Sequence, residues 1–340
     1  MTRTATSPHD VLTIGRAGID LYPLQVGRTL DEVETFSKSV GGSPTNVAIA
    51  AAQHGRRAAV ITKTGNDAFG RFIRRELGRL DVDTTFIGTS TDFQTPITFC
   101  EIHPPDHFPL TFYREPQAPD LDLHPEELPV AAIQDAMLYW ATVTGLSKEP
   151  SRAAHHAAWA ARGRQPHTVL DLDYRPMFWA SPDEARREVA RALDLVTVAV
   201  GNLEECEIAV GERDPERAAD ALLDRGVELA VVKRGAAGVL AKTRQERVEV
   251  APIPVHVVNG LGSGDGFGGA LCHGLLSEWS LARTIAFANA AGAIVATRRE
   301  CSTAMPTTGD VDALLDQRAA LDDADARTPM GDERIGDVRS

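Results

Sequence analysis

Cysteine is scarce in this chain of 340 residues: there are four, Cys100, Cys206, Cys272 and Cys301, far apart and without a C-x-x-C pair. Such spacing excludes a disulfide framework and a thiolate zinc ribbon, and it reads as reduced thiols of a cytoplasmic protein. Lysine is scarce as well, with five against a Lys+Arg total of 35. None of the five follows a glycine, so the Gly-Lys step of a Walker A phosphate loop is missing. No apolar run approaches the roughly 18 residues that span a bilayer. Residues 1–10 are polar and hold no h-region, so secretion is not expected. Positive charge is in deficit: 48 Asp and Glu against 35 Lys and Arg leave −13. That balance repels nucleic acid and anionic lipid and disfavours both as partners.

What is present is ordinary for a globular chain, 43% apolar and 24% charged. The length suits two domains or one large α/β domain. Short apolar runs predict strands over 11–15, 58–62, 137–143, 168–173, 195–200 and 229–233. Helical patterns lie between them at 44–54, 69–80, 151–162, 183–193 and 214–225. Strands alternating with helices imply βαβ units and a mostly parallel sheet flanked by helices, with right-handed crossovers. Residues 20–40 and 95–115 break the rhythm and read as a small β excursion, a lid. Its apolar residues (Phe36, Phe99, Ile102, Phe108 and Phe112) would face either the site or a second copy of the chain, and exposed apolar strands favour a homodimer. The expected domain is 10–315, followed by an acidic, aperiodic and disordered tail over 316–340.

The strongest chemical signal is Asn259-Gly260-Leu261-Gly262-Ser263-Gly264-Asp265-Gly266, running into the apolar stretch 270–276. Glycines this dense let backbone N–H groups converge on one anion. A helix starting near Ser263 adds its positive dipole end. A plain glycine turn with an acid in the first helical turn has the same look. A second cluster, Gly41-Gly42-Ser43-Pro44-Thr45-Asn46, reads as a helix start with Ser43 as N-cap and Pro44 at the first position. A Rossmann fingerprint would put its glycines after the first strand, so a dinucleotide oxidoreductase is disfavoured.

In this order the two clusters resemble the paired signatures of the ribokinase-type (PfkB) sugar kinases. Gly65-Asn66-Asp67, Asn202-Leu203-Glu204-Glu205 and Gly235-Ala236-Ala237-Gly238 extend the resemblance, which runs from about residue 11 to 307. It implies a ribokinase-like α/β fold and ATP-dependent phosphorylation of a sugar hydroxyl, with Asp265 as base and the amides of Gly262, Ser263 and Gly264 as anion hole. That division suits phosphoryl transfer, in which positioning and electrostatics dominate. The resemblance further places Asp20, Gly42 and Asn46 on the sugar. It places Lys233, Gly235, Gly238 and Asn289 on the nucleotide, and Asn202 and Glu205 near Mg²⁺, through water. Family members commonly carry Asp and Thr where this chain has Asn259 and Leu261, positions that help ligate a monovalent cation, so K⁺ activation stays open.

Two arginines point to an acidic sugar. Arg175 follows a predicted strand, where open α/β sheets bind ligands, and Arg114 ends the β excursion. Guanidinium forks suit carboxylates, though either residue could equally serve a structural ion pair. The stretches 14–23, 104–110 and 300–306 narrow the resemblance to a branch acting on the terminal hydroxyl of a keto-deoxy sugar acid; Arg16, within the first stretch, is a further candidate for carboxylate recognition. Another keto-deoxy sugar acid, a ketohexose such as fructose, and a non-catalytic nucleotide- and sugar-binding regulator remain the alternatives.

Overall fold

The computed structural model describes residues 9–327, the side chains of 322–327 excepted. Ala58–Gly65 is a strand with every side chain buried, and Val11–Ile14, Leu138–Thr142 and Thr168–Asp171 are buried throughout as well. Strands buried on both faces need helices on both faces, and that is the arrangement found. Val11 pairs with Ala58 on one side and Leu138 on the other, Thr168 with Tyr139, Val169 with Val198, and Val198 with Leu229, all in parallel. The strands Val239–Lys242 and Arg247–Val250 extend one edge as an antiparallel hairpin, and the sheet reaches 10 strands.

Successive side chains enter different cores. Val11, Val60, Trp140, Val169 and Val231 pack beneath the helices Ser43–Gln53, Ser263–Leu276 and Leu281–Ala296. Leu12, Ile61, Tyr139, Leu170 and Val232 pack beneath Ser151–Arg162, Pro182–Leu193 and Pro215–Asp224. The predicted strand at 195–200 lies later, at Val198–Asn202, because Leu195 still closes the preceding helix through its N–H to Ala192 (2.9 Å). Ser43 is not the N-cap of its helix: Gly42 is, and Ser43 occupies the first turn.

A second sheet of four strands projects from the first, in the order Phe36–Gly41, Gly18–Pro23, Ile97–Cys100, Leu110–Tyr113. The tail expectation needs correction. The helix Thr308–Arg327 runs straight through residue 316. Its first half is anchored by buried Val311 and by Leu314 and Leu315 against the core. From that nucleus the run Ala319-Ala320-Leu321 propagates cheaply despite the acids around it. Residues 328–340 lie outside the described residues.

The helices that carry the two glycine clusters lie in close contact. A Cβ on Gly269 would sit 2.7 Å from the backbone nitrogen of Ala51, and one on Gly268 would press on Trp140 (2.9 Å). Backbone cannot yield as a side chain does, so Gly269→Ala should destabilise the protein by about 1–3 kcal/mol. Chemical denaturation monitored by fluorescence would read this as a lower midpoint at unchanged slope.

Candidate active site

The parallel strands deliver their C-terminal ends to one cleft of about 880 Å³. Arg16 follows the strand Val11–Ile14, Asp171 and Asp173 end the next but one, and Asn202 and Lys233 close the two beyond. The second sheet forms the facing wall. Asp20, Thr98 and Phe112 stand opposite one another across its strands and so share the face turned to the cleft.

At the floor two helices begin without a side-chain cap, at Gly42 and Gly262. Their first-turn N–H groups and dipole ends favour anionic groups. Gly262 has φ 80°, a left-handed conformation, and a Cβ there would collide with Cys301 Sγ. Gly42, at φ 106°, has room for nothing beyond hydrogen because the Arg16 carbonyl lies against it. Gly41 serves a different purpose: the space of its missing side chain is filled by the Asp20 carboxylate. Asp265, one turn into its helix, accepts a hydrogen bond from Asn46 Nδ2 (2.9 Å). Burial pushes its carboxyl above the usual range, while bonds from Asn46 and Ser43 pull it back.

Charge is dense here. Asp173 is clamped by Arg16 Nη2 (3.0 Å) and Arg175 Nη2 (2.8 Å). Despite burial, those two guanidiniums hold its carboxyl below the ordinary range. Burial pushes Asp171 and Glu205 up, with Lys233 pulling the other way. Burial would lower Lys233, yet Asp171, Glu205 and Asp265 outweigh it and keep the ammonium charged. A Cβ on Gly264 would come 3.4 Å from that ammonium, so Lys233 stands over the glycine loop. Burial pushes Asp20 up to about 6, against Arg16 and the Tyr22 hydroxyl 3.2 Å away.

Most residues singled out from sequence meet in this cleft: Asp20, Gly42, Asn46, Arg175, Asn202, Glu205, Lys233, Gly235, Gly238, Asn289 and 262–265 all line it. Several also have structural duties. Asn202 and Glu205 cap their helix reciprocally, Glu205 N–H to Asn202 Oδ1 (2.9 Å) and Asn202 N–H to Glu205 Oε2 (2.7 Å). Asn289 Nδ2 donates to the Ala251 carbonyl (3.0 Å), and Gly238, at φ 84°, turns where a Cβ would strike the Val250 carbonyl. Arg114 is the correction. It does not line the cleft, because buried Asp120 takes its Nη2 at 2.7 Å and neutralises it behind Phe178. Asp171 and Asp173 are the acids that motif reading passed over. Their signal is the alternation Asp171-x-Asp173-x-Arg175 at a strand's C-terminal end.

A family model described as pfkB family carbohydrate kinase matches residues 8–308. The chain belongs to that family. The kinase is 33% identical over 317 residues to the 5-dehydro-2-deoxygluconokinase of Geobacillus kaustophilus (strain HTA426), covering 91% of this chain and 94% of that one. It is 31% identical over 315 residues to the protein of the same name from Bacillus subtilis (strain 168), covering 91% and 97%. Among solved structures, a putative ribokinase II from E. coli in complex with ATP and Mg²⁺ shares the fold at TM-score 0.82, with 22% identity and coverage of 91% and 99%. A fructokinase double mutant from Vibrio cholerae O395, with fructose, ADP and potassium ion bound, superimposes at TM-score 0.81, with 27% identity and coverage of 92% and 100%. The kinase is accordingly ATP-dependent and acts on a sugar-type acceptor.

Two outcomes follow for this site. Asp265→Asn should lower kcat by about 10²–10⁴-fold, the usual worth of a general base, with ATP affinity by calorimetry little changed. Asp20, with its pKa raised to about 6, takes up a proton as pH falls through that value and becomes a weaker, uncharged acceptor for a hydroxyl. The KM for the acceptor should therefore rise on the acid side, and in Asp20→Asn it should be high and flat with pH.

Proposed function

We propose that the kinase transfers the γ-phosphate of ATP to the 6-hydroxyl of 5-dehydro-2-deoxy-D-gluconate, an acid of myo-inositol catabolism. The observation that carries the acid is the pair of arginines on Asp173. Two guanidiniums share one carboxylate and both line the cleft. A ligand carboxylate would accept from guanidinium N–H groups on the cleft side. The relatives' shared name supports the particular acid.

The groups in the cleft suit the chemistry. Asp265 would take the proton as the O–H bond breaks and the new O–P bond forms, with ADP leaving. Asn46 holds that carboxylate in place, and the raised pKa fits proton uptake. The amides of Gly262, Ser263 and Gly264, with Lys233 above them, would stabilise charge on the group in flight. Among the described residues no three of His, Cys, Asp or Glu converge as a metal cage. Carboxylates at Glu205 and Asp171 nevertheless fit Mg²⁺ held through water, since that ion keeps several waters. Mg²⁺ supplies neutralisation of phosphate charge; Asn202, occupied in its cap, would hold Glu205 in position for it. Retention of Asp265 and its cradle argues against a regulator without turnover.

Residues 10–315 would act as one unit, with the small sheet as lid. Phe36, Phe99 and Tyr113 form an edge-to-face row at 5.4 and 5.5 Å on the lid's outer side, and Tyr113 is 64% exposed. A second copy of the chain would cover that row. No helix among the described residues is long and apolar enough to cross a membrane. With four buried free cysteines, we place the kinase in the cytoplasm.

An ADP-release assay with 5-dehydro-2-deoxy-D-gluconate, 2-keto-3-deoxygluconate and fructose tests the acceptor, and the first should give the highest kcat/KM. Preference for either of the others would overturn the assignment. Arg16→Ala should raise KM for the acid by roughly 10–100-fold, the worth of a hydrogen bond to a charged group. Unchanged KM removes Arg16 from recognition.

A further inference from the structure

Asn259 lies fully buried at the start of the glycine loop. Its backbone N–H reaches the carbonyl of Ala296 (3.2 Å), its Nδ2 donates to the carbonyl of Arg299 (2.6 Å), and its Oδ1 accepts the N–H of Leu261 (3.0 Å). One neutral side chain thus joins the turn after the helix Leu281–Ala296 to the loop that supplies the cradle. Beyond it, Ser263 Oγ donates to the Gly260 carbonyl (2.8 Å), and Cys301 packs against Gly262. A buried amide with both ends paired fixes geometry, because either end left unpaired would be costly.

Family members commonly carry Asp and Thr at positions 259 and 261, and the Vibrio cholerae fructokinase was solved with potassium ion bound. Such an ion takes oxygen ligands, carboxylate and carbonyl for preference. Here the carbonyl that faces side chain 259 is already taken by an N–H donor. The side chain carries no charge, and Leu261 packs against the core with no hydroxyl to offer. These residues do not fit the cation.

We propose that Asn259 is the positioning residue of the cradle and that its amide replaces a monovalent cation, so the kinase works without one. The cross-link is covalent chain on one side and two hydrogen bonds on the other, so the loop's register does not depend on ion concentration. The inference rests on the cradle assignment above, and its test separates from that of the acceptor.

The test compares the full-length kinase in tetramethylammonium chloride and in KCl at matched ionic strength. The expected result is that kcat and the KM for ATP agree within about threefold. Activation by K⁺ beyond that would overturn the proposal. Asn259→Asp removes the donor to Arg299 and supplies the missing charge. Its kcat should fall at least about tenfold without K⁺ and recover in KCl, with the KM for ATP little changed. Full activity of that variant without K⁺ would count against the proposal. Should the acid prove the wrong acceptor, both salts are silent with it and only the substrate reading fails. ADP affinity and Tm of the unmodified kinase then decide: equal values in both salts support the amide, and tightening by K⁺ overturns it.

Discussion

The floor of the site rests on a contact among three helices, in which the one that carries Asp265 packs against two others. Gly268 and Gly269 let it approach Ser43–Gln53, and Gly292 lets Leu281–Ala296 come within 2.9 Å of the Ser263 carbonyl, measured from where a Cβ would be. The contact brings two uncapped helix starts, at Gly42 and Gly262, to one floor. It also brings Asn46 of one helix onto Asp265 of the other. Glycine in a helix interior is unfavourable by roughly 1 kcal/mol relative to alanine. Here that loss is offset by the packing it permits, and the site inherits its geometry from the contact.

The second constraint is charge. Asp20, Asp171, Asp173, Glu205 and Asp265 line one cleft of an acidic protein. Left alone they would repel one another and hold protons. Arg16, Arg175 and Lys233 compensate unevenly: Asp173 is driven down, while Asp20, Asp171 and Asp265 stay raised. Neighbouring carboxylates with pKa values pushed apart suit different duties, one holding arginines and another receiving a proton.

Much of this could be read from residue types. The two glycine clusters, their order, Asn202-x-x-Glu205 and the strand-helix rhythm are local patterns, and each lies close to its expected place. The misses have local causes too. Leu281–Ala296 is apolar on nearly every side, so it carries no helical contrast to flag it, although it is central to the core. The run after 316 looks acidic and aperiodic, but a helix nucleated at buried Val311 continues through it. Arg114 carries the same chemistry as Arg175, and only the position of Asp120 shows that its charge is spent internally.

Sequence alone therefore determined the family, the α/β class and the two glycine clusters that line the cleft, because these depend on patterns carried within a few consecutive residues. Tertiary structure decided which arginines face the cleft, that Gly41 makes room for Asp20, and that Asn259 binds Arg299 forty residues away. Those outcomes depend on which groups from distant segments meet in a low-dielectric interior. No local pattern encodes that, since a guanidinium or an amide looks the same in the chain whichever partner it will find.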